Sequence, residues 1–288
     1  MNGLERALVI RVEALLGDRL IAAMPAIGGY SSAQRWIVRA HGGRTAFAKV
    51  GVTPVSAMDL RREATVYERL SLPCMPEVYG WDAAEPPVLV LCDLSIHAWP
   101  PPWTTNRVDR VLQVIDSVHS ASAQLPQYAE AQDADEDWWG RISAAPEAFL
   151  RLDVARPDWF HRNVGVLAAR ARTVSCAGSS VTHYDLRSDN LCFSSTRTYL
   201  VDWSHACLGN PRLDLALFLP NLAVEGGPLP EVILPADPAA ASWVAGFFAW
   251  HASKPHIPTA PAVRTMQRRL LEAALPWAAR ELDLEPPG

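Results

Sequence analysis

Cysteine is scarce in this sequence, with five in 288 residues and none in C-x-x-C spacing. An odd count with that spacing missing argues against a disulfide framework or a zinc site and for free thiols in a reducing cytoplasm. No uninterrupted apolar run approaches the ~20 residues of a spanning helix, so no membrane is expected. Glu5, Arg6, Arg11 and Glu13 interrupt the apolar residues at the start, which is not the pattern of a signal peptide. Positive charge is not in excess either: 26 Lys and Arg against 31 Asp and Glu give a net charge of −5, which argues against a nucleic-acid partner. Neither G-x-G-x-x-G nor G-x-x-x-x-G-K-[ST] occurs. What is there is ordinary for a globular protein, 49% hydrophobic and 20% charged. The length exceeds what one core comfortably fills, so two lobes and a small-molecule partner are expected. Composition names no reaction and is silent on oligomeric state.

Apolar periodicity sets the organisation. Leu4, Leu8, Val12, Leu15 and Leu16 recur at helical spacing and predict a helix over 4–17. Residues 36–38 and 45–50 read as strands around the turn His41-Gly42-Gly43-Arg44. A helix over 56–70 carries Leu60, Ala64, Tyr67 and Leu70 on one stripe, and Pro73 and Pro76 end it. Strands near 78–81 and 88–92 follow. Past Pro100-Pro101-Pro102 the pattern turns helical, over 105–124, 138–151, 158–172, 212–224, 238–253 and 261–284. Prolines 220, 228, 230, 235 and 238 are read as irregular connections. Strands first and helices later is an α+β order. It divides the chain into an N-terminal lobe, 1–94, and a helical lobe, 95–288.

The chemistry is concentrated in one stretch. Residues 182–190 read T-H-Y-D-L-R-S-D-N, and Asp202 follows twelve residues past Asn190 in Y-L-V-D-W-S-H. That order supplies the parts phosphoryl transfer needs. Asp185 orients and deprotonates an attacking hydroxyl, while Asn190 and Asp202 hold magnesium against nucleotide phosphates. The apolar segments 191–193 and 199–201 flank a polar turn, a hairpin that returns Asp202 beside Asn190. Asp214, in R-L-D-L-A, is expected to hold the loop through backbone hydrogen bonds, and His183 to anchor it with its ring. Upstream, Lys49 lies in the strand F-A-K-V and Glu63 fourteen residues later on a helix, the order of a phosphate-contacting lysine and its positioning glutamate. The Gly28–Ser32 turn precedes them, and there Gly29 and Ser31 would let backbone amides and a hydroxyl cover phosphates. Arg187 and Asp189 receive no role.

With these residues in hand, the chain resembles the aminoglycoside phosphotransferase and choline kinase family, small-molecule kinases that share the protein-kinase fold. The resemblance runs from Gly28 to about Leu219. H-Y-D-L-R-S-D-N stands for the family's H-G-D-L-x-x-x-N, V-D-W for its I-D-W, and Asp214-Leu215-Ala216 for its D-L-A. It implies a bilobal fold, ATP and Mg2+ as cofactors, and Asp185 as catalytic base. It further implies Asn190 and Asp202 as metal ligands, Lys49 and Glu63 as the phosphate-positioning pair, and adenine bonded to the backbone near Cys92 and Leu94. The acceptor would be a hydroxyl of an aminoglycoside-, choline- or sugar-like molecule. Only eleven residues separate Asp202 from Asp214, which leaves no room for the activation segment of a protein kinase. The sequence departs from the family at Tyr184, in place of glycine, and in the linker C-D-L-S-I, which lacks one. A catalytically silent nucleotide-binding or regulatory protein is the alternative, and retention of the lysine, the base and both metal ligands speaks against it. The acidic stretch 130–137 and Glu281, Asp283 and Glu285 read first as a solvated loop and chain end, and as an alternative would suit a cationic acceptor.

Overall fold

Apolar side chains alternating with period two across residues 34–50 build the centre of an antiparallel sheet. The computed structural model describes residues 4–26, 28–30, 32–132 and 137–288. In chain order the elements begin with α1 (Arg6–Leu16), β1 (Leu20–Pro25), β2 (Gln34–Ala40), β3 (Thr45–Val50), α2 (Pro54–Arg69), β4 (Val78–Asp82) and β5 (Val88–Cys92). There follow α3 (Thr105–His119), α4 (Tyr128–Ala131), α5 (Trp138–Ala144), α6 (Glu147–Leu150), α7 (Pro157–Ala171) and β6 (Ser180–Thr182). The chain continues through β7 (Leu191–Phe193), β8 (Thr198–Leu200), β9 (Cys207–Gly209), α8 (Pro211–Val224), α9 (Pro230–Ile233), α10 (Pro238–Ser253) and α11 (Val263–Glu281). These elements form two compact units: Met1–Pro100 with Ser122–Leu125 and Asp189–Ala206, and Pro101–Ala121 with Pro126–Ser188 and Cys207–Gly288.

The first unit holds a five-stranded antiparallel sheet in the order β1-β2-β3-β5-β4. On one face Trp36, Val38, Ala46, Ala48, Val50, Val88 and Val90 pack with Leu8, Val9, Val12 and Leu16 of α1. The intervening residues occupy the other face, where Leu89 and Leu91 pack on Leu60 of α2 with Tyr67 and Trp81. Register places Arg35 opposite Lys49 and Lys49 opposite Leu89, so these three form a row across β2, β3 and β5 on that second face. Thr53 and Ser56 form a capping box at the start of α2, and Pro54 occupies its first turn. The β7–β8 hairpin belongs to the same unit, held by the mutual backbone bonds of Ala98 and Phe193.

The second unit is mostly helical, with Trp139, Trp159, Trp243, Trp277, Phe149, Phe160 and Phe218 fully buried. Helix α10 is apolar nearly all round and is enclosed by α5, α7, α8 and α11. The helix expected over 138–151 is two short helices, broken where Pro146 stands at the entry to α6. Pro220, read from sequence as part of a connection, lies inside α8 and is buried there. Tertiary packing of that helix outweighs the backbone hydrogen bond the proline cannot donate. Among the described residues no helix is long and apolar enough to cross a membrane.

Candidate active site

In the first unit the row on the sheet's second face meets α2 and the turn after β8. Lys49 Nζ donates to both carboxylate oxygens of Glu63, at 2.8 and 2.9 Å, and to Asp202 Oδ1 at 3.2 Å. Lys49 and Glu63 are buried, whereas the Asp202 side chain is 31% exposed. Burial works against the Lys49 ammonium, but Asp202 and Glu63 outweigh it and hold its pKa above the ordinary lysine value. Burial likewise pushes the Glu63 carboxyl upward, and its two bonds to Lys49 draw it back toward the ionised form. The trio is thus a buried cation held between a buried carboxylate and one that opens to solvent.

The hairpin delivers the rest of this half. Leu191 pairs with Leu200, and Val201 N–H donates to the Asn190 carbonyl at 3.0 Å, so the residues flanking the two strands are fastened side by side. Asn190 and Asp202 arrive together, as their spacing led us to expect. Asp202 adopts φ 65°, ψ 64°, a left-handed backbone that aspartate tolerates better than most residues. Gly28 and Gly29 have φ of 103° and 75°, which explains the choice of glycine in that turn. Ser31 lies outside the described residues. At the end of β5, Cys92 N–H donates to the Glu77 carbonyl, and the Leu94 carbonyl accepts from His97 N–H.

The second unit carries Asp185 and its supports. The short pairing of β6 with β9 places Thr182 opposite Cys207 and leads directly into the loop. The buried Asp214 carboxylate near the start of α8 accepts from His183 N–H at 2.9 Å and from Tyr184 N–H at 2.7 Å, the loop-holding role expected of it. His119 Nε2 at the end of α3 lies 2.9 Å from the same carboxylate. His183 is fully buried, and its Nδ1 accepts from Asp185 N–H at 3.2 Å. Ser188 closes the loop's far end, its N–H on Asn221 Oδ1 and its hydroxyl on Glu225. Arg187, which the sequence left unassigned, is ion-paired with Asp185 at 3.2 Å.

Tyr184 takes φ 53°, a left-handed conformation that glycine would adopt without strain. Here a side chain compensates. The Tyr184 ring packs 5.0 Å from that of Tyr128, and its hydroxyl accepts from Asn210 N–H at 3.1 Å. A Cβ on Gly209 would lie 2.8 Å from the tyrosine ring, so glycine there makes room for it. Burial raises the phenol's pKa, which keeps it neutral.

Asp214→Ala would leave two amide donors without their acceptor. At about 1–3 kcal/mol for each unsatisfied group, urea unfolding should show a loss of about 2–6 kcal/mol. An unchanged midpoint would remove Asp214 from the support of the loop. Part of the acidic stretch 130–137 has structural work: Glu130 caps α4 through Gln127 N–H, and Asp137 caps α5 and pairs with Arg172. Residues 133–136 lie outside the described residues.

The sequence profile of the phosphotransferase enzyme family matches residues 23–256. No curated protein matches the chain. Among solved structures it is similar to spectinomycin phosphotransferase APH(9)-Ia in complex with ADP and spectinomycin, with a TM-score of 0.63 and 9% identity over 99% of this chain and 100% of that one. A thermostable mutant of aminoglycoside phosphotransferase APH(4)-Ia, in a ternary complex with ADP and hygromycin B, gives 0.60 and 12% over 96% and 98%. Macrolide 2'-phosphotransferase from Brachybacterium faecium gives 0.54 and 17% over 98% of each chain. At such identities the likeness is one of fold, and the fold is the α+β, protein-kinase-like one that the sequence led us to expect.

Proposed function

The chain belongs to the phosphotransferase enzyme family, and from that premise we propose that it moves the γ-phosphoryl group of ATP to a hydroxyl of a small molecule, with magnesium. The observation that carries this reading is Lys49 Nζ, bonded at once to Glu63 and to Asp202 153 residues away. An ammonium fixed between two carboxylates, one of them facing solvent, is a device for receiving a phosphate and a metal together. Residues 1–94 form the nucleotide-binding lobe, to which Asn190 and Asp202 are delivered by the hairpin. Residues 95–288 supply the catalytic loop and the acceptor pocket.

The donor set fits magnesium. Among the described residues no group of three or more His, Cys, Asp or Glu is placed to enclose a metal. Magnesium is ordinarily held by one or two carboxylates, and substrate phosphates and water complete its shell. Asp202 and Asn190 would hold it, and when bound it neutralises the charge that develops on the phosphates. Cys92 N–H and the Leu94 carbonyl are already engaged, so adenine would draw on the Cys92 carbonyl and Leu94 N–H. Gly29 would bring backbone amides close to the phosphates, and a hydroxyl from Ser31 belongs to the same proposal. Asp185 accepts the proton of the acceptor hydroxyl, and Arg187 and the His183 ring fix its place.

The acceptor belongs to the aminoglycoside-, choline- or sugar-like class, and the free thiols suit a cytoplasmic enzyme. A panel of hydroxylated compounds of these classes, assayed for ADP release with Mg-ATP, tests the reading. Release stimulated by at least one compound is expected. Binding of Mg-ATP that no acceptor ever converts into ADP release would instead favour a silent nucleotide-binding protein.

A further inference from the structure

The row on the second face of the sheet contains a cation the reaction scheme has not used. Arg35 stands directly opposite Lys49 on the neighbouring strand, so both side chains leave the sheet on the same face. The Arg35 guanidinium lies against Gly29: a Cβ built there would fall 1.8 Å from Nη1. Gly29 therefore serves two ends, a left-handed turn and an open berth for the arginine. Arg35 also senses the site's acidic groups. Burial lowers its pKa, and Asp202 and Asp189 oppose that fall through their charge. Lys49 is meanwhile shared between Glu63 and Asp202, so its single charge is already balanced by protein carboxylates before any phosphate arrives.

We propose that Arg35 is a second phosphate-binding cation of the nucleotide site, its planar fork laid between the Gly28–Gly29 turn and Lys49 to receive phosphate oxygens. Neither glycine-rich phosphate motif is present, and an arginine lying against the turn adds side-chain charge to the backbone amides the turn would offer. Guanidinium suits the task because its donors pair with two phosphate oxygens at once and it stays charged when partly buried. This inference rests on the phosphotransfer reading above.

Calorimetry with Mg-ATP and with adenosine tests it in wild type and in Arg35→Met, which keeps the length of the side chain and removes the charge. The Kd for Mg-ATP should rise about 10–100-fold, the worth of one hydrogen bond to a charged group. The Kd for adenosine should stay within about twofold. An unchanged Mg-ATP affinity overturns the proposal. So does an equal loss for both ligands, which would make Arg35 a strut of the sheet. Thermal unfolding checks that the variant is intact. If it is not, Arg35→Lys replaces it, keeping the charge but not the fork, with a smaller rise for Mg-ATP alone expected and the same two overturning results. Wild-type protein that fails to bind Mg-ATP would sink the phosphotransfer reading itself, a result distinct from equal affinities in wild type and variant.

Discussion

Asp185→Asn lowers kcat by about 10²–10⁴-fold, the range that a positioned general base contributes, while Mg-ATP binds within about twofold of the wild-type affinity. Asparagine keeps the shape of the side chain and can still hydrogen-bond a hydroxyl, but it cannot take the proton. The loss should therefore appear in kcat, with little movement in the KM of either substrate. The surroundings make this a clean substitution. The loop backbone is held by Asp214 through His183 N–H and Tyr184 N–H, and by Asn221 through Ser188 N–H, none of which involves the Asp185 carboxylate. The substitution removes the charge from the ion pair with Arg187. Steady-state kinetics with a responsive acceptor measures it. Wild-type turnover in this variant would end the assignment of Asp185 as base.

Asp202→Asn removes magnesium-dependent nucleotide binding, with Kd for Mg-ATP rising about 100-fold or more if the carboxylate is the charged metal ligand. Alanine would confuse the result. Residue 202 sits at φ 65°, where asparagine is at ease and alanine is not, so alanine adds backbone strain to the loss of charge. Asparagine also leaves the Lys49–Glu63 bonds at 2.8 and 2.9 Å in place. Affinity for nucleotide in the absence of magnesium should change much less than affinity with it, because the ammonium that meets the phosphates remains. Calorimetric titration with and without magnesium separates the two. Equal affinities for Mg-ATP in variant and wild type would show that Asp202 is no ligand.

Much of the candidate site was legible before any coordinates, and the reason is short range. His183 to Asn190 is one loop, and Asn190 to Asp202 is one hairpin, so spacing alone dictates what lies beside what. Glu63 follows Lys49 by fourteen residues, one connection from strand to helix, and the pair meets as expected. Where prediction erred locally, packing was the cause, as at Pro220, whose helix is enclosed by neighbours that no window of sequence contains.

The unread residues depend on partners remote in the chain. Arg187 looked like one loop charge among several until its contact with Asp185 was seen. Arg35 received no role from the sequence. Its place was decided by the β2–β3 register and by the turn folding back until Gly29 met the guanidinium. Tyr184 stood as an anomaly in the motif, and the structure shows a ring wedged beside Tyr128 and Gly209 that offsets a left-handed backbone.

By itself, then, the sequence determined the central strands and the long helices, the loop and hairpin that carry Asp185, Asn190 and Asp202, and, by resemblance, the family to which the chain belongs. The elements follow from periodicity, the loop and hairpin from short spacings, and the family from the resemblance of H-Y-D-L-R-S-D-N and V-D-W to its motifs. The tertiary structure decided which carboxylates share Lys49, which face of the sheet carries Arg35, and what lets tyrosine stand where the family has glycine. Those outcomes turn on strand register and on contacts spanning up to 153 residues, and no local propensity encodes them.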